Sequence, residues 1–187
     1  MTTVAVKFDK KGVATISADS RVTVESESGG IRMFQCEKLY RKHVTVNGVE
    51  QDVIIGVAGE GFPALVFVDW YGSGSPPPDN LLLGEADFTA IVLSKDGLFE
   101  YDKWCRGEKV INKEYAIGSG ATAAMGALYA GKSAAKAVEI ACRVDPMSGL
   151  PITTMQLPKI TRKKVKPVPK ADKEPPILRN YEDKIVA

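Results

Sequence analysis

Three times along this 187-residue chain a short apolar run is broken by a tight-turn signal and then resumed, and that punctuation limits the fold more than any other feature. Thr2 to Phe8 and Val13 to Ser17 flank Asp9-Lys10-Lys11-Gly12, His43 to Val46 and Asp52 to Ala58 flank Asn47-Gly48, and Phe88 to Ser94 and Leu98 to Trp104 flank Lys95-Asp96-Gly97. Glycine, asparagine and aspartate supply the backbone angles that let an antiparallel pair close within a few residues, so each segment reads as a β-hairpin. Ile31 to Tyr40, Val110 to Ile117 and Ile152 to Leu157 read as further strands. Helical signals fall at Phe62 to Tyr71, Ala121 to Tyr129 and Ser133 to Arg143, the last with Ala134, Ala137, Val138 and Ala141 at helical spacing. The first ends in Gly72-Ser73-Gly74-Ser75 and Pro76 to Pro78, which no helix can continue.

The length suits one domain, residues 1–157, followed by an extension at 158–187. No apolar run is long enough to span a bilayer, and no basic stretch precedes an apolar one at the N-terminus, so a cytoplasmic protein with no membrane contact is expected. Cys36, Cys105 and Cys142 are odd in number and far apart, which suits free thiols in a reducing compartment. His43 is the only histidine. A site built on two histidines is excluded, and a serine or cysteine triad would depend on a residue placed in a hairpin strand. Neither metal nor cofactor is expected.

Gly126, Gly131, Lys132 and Ser133 match G-x-x-x-x-G-K-S, the pattern of a phosphate-binding loop. That loop works only between a strand and a helix, with its amides facing phosphate. Here the preceding residues form a helix, so Gly131 reads as a helix stop and Ser133 as the N-cap of the next helix.

From Pro158, Lys159, Arg162, Lys163, Lys164, Lys166 and Lys170 alternate with prolines, a composition that forms no core alone. A solvated extension that lies on a neighbouring subunit or stays disordered is favoured over an arm that binds nucleic acid or an acidic partner, because the whole chain carries only +2 and the basic stretch has no interleaved aromatics. Ile177, Leu178 and Tyr181 give its far end something to dock.

The N-terminus carries the chemistry. Removal of Met1 leaves Thr2 with a hydroxyl and a free α-amine on one residue. Such an amine titrates near pH 8, so it is partly neutral at physiological pH and able to take the hydroxyl proton. Behind Thr2 come Asp19 in Ala18-Asp19-Ser20-Arg21, Lys38 in Glu37-Lys38-Leu39, Gly59 in Val57-Ala58-Gly59, Ser119 in Gly118-Ser119-Gly120, and Asp145-Pro146-Met147-Ser148-Gly149. In this order the chain, over Thr2 to Leu157, resembles the β-subunits of the proteasome family, which are N-terminal-nucleophile hydrolases.

The resemblance implies an α+β fold, a four-layer αββα sandwich of two antiparallel sheets between helix layers. One helix layer is reduced, because a single short helix stands where the family has a long pair. Thr2 would be the nucleophile and its amine the base. Lys38 would favour the deprotonated hydroxyl, Asp19 would hold Lys38, and Ser119, Asp145 and Ser148 would position the amine. The amide of Gly59 would face the oxyanion. Substrate would lie as an extra strand along Ser20 to Thr23 and Gly59 to Gly61, with Val22, Cys36, Tyr40, Val57 and Gly61 lining an uncharged specificity pocket. Maturation is expected to need only methionine removal. The activity implied is that of a threonine endopeptidase acting on peptides or unfolded proteins in a self-compartmentalising homo-oligomeric ring, with an ATP-driven unfoldase as a conceivable partner. A small-amide hydrolase of the same fold and a noncatalytic assembly subunit that retains Met1 are the alternatives.

Overall fold

The computed structural model describes residues 2–25, 29–46, 48–79 and 87–157. The chain extension, at 158–187, therefore lies outside the described residues. Strand β1 (Thr3–Phe8) turns at Asp9 to Gly12 into β2 (Ala14–Asp19), as the hairpin signal requires. Asp9 makes that turn by accepting the amides of Lys11 and Val13, each at 2.8 Å, on one carboxylate oxygen. With β10 (Glu114–Gly118) and β11 (Ile152–Leu157) they form a four-stranded antiparallel sheet in the order β10-β1-β2-β11. A second antiparallel sheet is a meander of β5 (Leu39–Val46), β6 (Val49–Gly59), β7 (Phe88–Ser94), β8 (Gly97–Tyr101) and β9 (Gly107–Val110). A two-stranded ribbon, β3 (Arg21–Glu25) with β4 (Ile31–Gln35), stands apart from both.

Alternation along the strands sends apolar residues to both faces of each sheet. Val4, Val6, Ile16, Ile54, Ile91 and Leu93 join one buried cluster drawn from both sheets. The opposite faces carry helices. Val53, Ile55, Val57, Ala90 and Val92 pack with helix α1 (Gly61–Trp70), whose Phe67 ring lies 5.2–5.8 Å from those of Trp70, Tyr71, Phe88 and Tyr101. Ala5 packs with helices α2 (Ala121–Tyr129) and α3 (Ala134–Val144), whose small residues allow close approach to the sheet and to each other. Lys42 closes the end of α1 by donating to the carbonyls of Val68, Asp69 and Tyr71 at 2.5, 3.1 and 3.2 Å.

Two expected strands divide. Ile31 to Tyr40 breaks at Cys36 to Lys38, where the amide of Cys36 donates to Ser20 (2.9 Å) and the chain leaves the ribbon for the second sheet. Lys38 thus stands ahead of β5, not within a strand. Val110 to Ile117 breaks at the exposed Ile111, where the chain passes from one sheet to the other. The Gly126 to Ser133 motif begins inside α2 and ends at the N-cap of α3, so a helix and not a strand leads into it, and Ser133 caps α3 by accepting the amide of Lys136 at 3.3 Å. No helix among the described residues is long and apolar enough to cross a membrane.

Candidate active site

The register Val4↔Ala18 puts the first residue of β1 beside the last of β2. There Asp19, 1% exposed, accepts four hydrogen bonds. Its Oδ1 takes the amide of Thr3 at 2.8 Å and the ammonium of Lys38 at 3.0 Å, and its Oδ2 takes the amides of Arg21 at 3.0 Å and Gly149 at 2.9 Å. Lys38, 4% exposed, also donates to the carbonyl of Arg21 at 2.5 Å. A buried ion pair persists only when its remaining lone pairs and protons are satisfied, and the acceptor side of this one is full.

Pairing of Ile152 with Asp19 delivers the Asp145 to Gly149 loop to the same corner. Asp145 Oδ2 accepts the hydroxyls of Ser119 at 2.6 Å and Ser148 at 2.7 Å, and its Oδ1 accepts the amide of Met147 at 3.1 Å. Partial burial pushes the Asp145 carboxyl up, but these hydrogen bonds outweigh it and hold the group below the usual carboxylate range. Ser148, fully buried, shares a 2.6 Å hydrogen bond with the hydroxyl of Thr3. Thr3 therefore joins the Asp19–Lys38 pair, through its amide, to the Ser119–Asp145–Ser148 set, through its hydroxyl. The guanidinium of Arg21 lies against Gly149 and donates to the carbonyl of Pro146 at 2.9 Å, bracing the loop from outside.

Thr2 leads into this network and is 4% exposed. Its carbonyl passes over Gly118, where φ is +92° and a Cβ would run into the Thr2 carbonyl oxygen; only glycine fits. The hydroxyl oxygen of Ser119, whose proton goes to Asp145, lies 3.4 Å from the same carbonyl. A cleft of about 180 Å³ opens here, walled by Thr2, Ala58 and Gly59, Asp87 to Thr89, and Gly118 and Ser119. Gly59 has φ +100°, and a Cβ there would sit 2.5 Å from the carbonyl oxygen of Asp87.

Of the expected catalytic residues, Thr2, Gly59 and Ser119 share the cleft, while Asp19, Lys38, Asp145 and Ser148 form the hydrogen-bonded corner behind Thr3. The expected substrate-binding residues fall elsewhere. Ser20 is 7% exposed, and its hydroxyl and that of Thr23 are buried with no hydrogen-bond partner among the described residues. Val22 and Thr23 stand on β3, which pairs with β4 alone among the described strands. Cys36 is exposed, Gly61 opens α1, and Val57 and Tyr40 pack on the α1 side of the second sheet. None of these seven walls the cleft.

Sequence reasoning missed Thr3, Arg21, Gly118 and Asp87. Thr3 had a signal, a hydroxyl at the head of the apolar run Val4 to Val6; Asp87 had none. Burial raises the thiols of Cys36, Cys105 and Cys142, the last two to about 11, so none is the low-pKa thiolate of a cysteine nucleophile. His43 pairs at the surface with Asp52 at 2.8 Å, away from the corner. No group of three His, Cys, Asp or Glu among the described residues is placed to hold a metal ion.

No protein-family model matches the chain, and no curated protein matches it in sequence. Solved structures do match. BPH from Thiobacillus denitrificans, in complex with epoxomicin, superposes with a TM-score of 0.62 at 20% identity, covering 83% of this chain and 98% of that one. A second BPH structure from the same organism gives 0.60 at 22% identity, over 84% and 97%. HslV from Trypanosoma brucei gives 0.57 at 21% identity, over 83% and 98%. Over most of its length, then, the chain has the fold of BPH and HslV.

Proposed function

We propose that this protein is a threonine endopeptidase whose nucleophile is Thr2 after removal of Met1. The observation that carries this reading is the buried Asp19–Lys38 pair, tied through Thr3 to Ser119, Asp145 and Ser148 directly behind Thr2. In this mechanism the Thr2 hydroxyl passes its proton to its own amine as Oγ bonds to the substrate carbonyl carbon. The amide of Gly59 stabilises the oxyanion, and the carbon–nitrogen bond breaks as the leaving amine takes the proton. Water then attacks the Thr2 ester, returning a proton to Oγ and releasing the new carboxylic acid. Lys38 keeps the corner positive, Asp19 orients it, and the Ser119–Asp145–Ser148 set holds the amine.

Substrate adds as a strand to the edge of β3 left unpaired by β4, from Ser20 to Thr23, and continues along Gly59 to Gly61. Val22, Cys36, Tyr40, Val57 and Gly61 shape the uncharged pocket beside it. The two sheets and their helices are read as the αββα sandwich of N-terminal-nucleophile hydrolases with the α1 layer reduced. Assembly into a homo-oligomeric ring, with residues 158–187 contributing contacts and an ATPase as partner, follows from the same reading. The test joins intact mass, peptide cleavage and epoxomicin binding, since that compound is bound by the similar BPH. Loss of Met1, cleavage by the wild type, and loss of cleavage in Thr2→Ala with an unchanged circular dichroism spectrum are expected. An active preparation that retains Met1 would overturn the mechanism.

A further inference from the structure

The cleft beside Thr2 carries a charge that the proposed chemistry does not use. Among the described residues on its walls, Asp87 has the only side chain that carries a charge. Along β7, Phe88, Ala90 and Val92 face α1, whereas Ile91 and Leu93 face the first sheet. Thr89 belongs by alternation to the second set, and Asp87, which immediately precedes β7, lines the cleft with it and with Thr2. Asp87 is exposed, and its backbone carbonyl accepts the amide of Glu60 at 3.0 Å, while among the described residues no hydrogen bond engages its carboxylate. Behind the cleft, Ser119 leads to the carboxylate of Asp145. Lys38, the cation of the corner, is engaged with Asp19 and does not reach the walls.

Position says which part of a substrate meets this carboxylate. A strand laid on β3 and Gly59 to Gly61 brings its scissile carbonyl to Thr2 from one side. The cleft shares only Gly59 with that path and is completed by Asp87 to Thr89, Gly118 and Ser119, so it lies across Thr2, where the leaving product begins. We propose that Asp87 makes this cleft a subsite for a cationic leaving group, selecting peptides with lysine or arginine immediately after the scissile bond. This rests on the threonine-peptidase reading.

The test compares kcat/KM for three peptides identical before the scissile bond and carrying Lys, Ala or Glu after it, with wild type, Asp87→Asn and Asp87→Lys. The expected wild-type order is Lys, Ala, Glu, with about a tenfold spread between the ends at low salt, the size expected when a semi-exposed attraction is exchanged for a repulsion. Asp87→Asn is expected to compress the spread to within about twofold and Asp87→Lys to invert it; added salt is expected to weaken both charged cases. Cleavage of all three peptides at equal rates, or a preference that survives Asp87→Asn, overturns this subsite while leaving the peptidase reading intact. Failure of the wild type to cleave any of them overturns both.

Discussion

Replacing Asp19 with asparagine keeps the shape of the side chain and removes its charge at the most connected point of the corner. The carboxylate accepts four donors, two on each oxygen. Asparagine offers one oxygen and one NH2 group, so in either orientation two donors face a donor. With the oxygen toward Lys38 and Thr3, the amides of Arg21 and Gly149 lose their partner; turned the other way, the Lys38 ammonium and the Thr3 amide do. In both cases a 4% exposed ammonium loses the carboxylate charge 3.0 Å away. Breaking a buried pair from one side costs about 3 to 5 kcal/mol, a large share of the roughly 5 to 15 kcal/mol that holds a domain together. In urea unfolding followed by circular dichroism, with a slope of about 2 to 3 kcal/mol per molar, the Asp19→Asn midpoint is expected to fall by about 1 to 2 M. Removing both charges in Asp19→Asn/Lys38→Met is expected to cost less than the sum of the single substitutions, because the isolated ammonium is gone. A loss below about 1 kcal/mol for Asp19→Asn, or strict additivity in the double variant, would refute the reasoning.

Asp145 gives a pH dependence of definite sign. Its folded pKa is held below the unfolded one, so its stabilisation is complete above the ordinary carboxylate range and is lost as pH falls through the folded value. Wild type is therefore expected to melt above Asp145→Asn near neutral pH, with the gap closing as acid is added below about pH 4; a gap that widens in acid would contradict this. Lys42→Met removes the group that closes α1 on three carbonyls and is expected to cost about 1 to 2 kcal/mol in urea unfolding. An unchanged midpoint would show that water serves those carbonyls equally well.

The elements of this fold are written locally, and so they were legible. Asp9 to Gly12 and Lys95 to Gly97 each set a reversal within a few residues, β5 and β6 pair up to Val46 and Val49 on either side of the third turn signal, and the alanine spacing of Ala134 to Ala141 needs nothing beyond its own helix. Where tertiary demands overrode the local pattern, the reading failed. Nothing within Ile31 to Tyr40 says that the chain must stop pairing at Cys36 to carry Lys38 to Asp19. Nothing within Val110 to Ile117 says that it changes sheets at Ile111.

The site divides in the same way. The sequence by itself determined which chemical groups were available, a hydroxyl and an amine on Thr2, one lysine, two aspartates and two serines in recognisable short motifs, because composition and local spacing are properties of the chain. Their meeting depended on strand pairing. The register of β11 against β2 brings Gly149 to the carboxylate of Asp19, 130 residues away in sequence, and the register of β10 against β1 lays Gly118 beneath Thr2. Thr3 became the link between the two polar sets, and Asp87 a wall of the cleft, only through such pairings. A hydrogen bond or a cleft is a relation between positions in space, and residues from distant strands acquire those positions only when the sheets close.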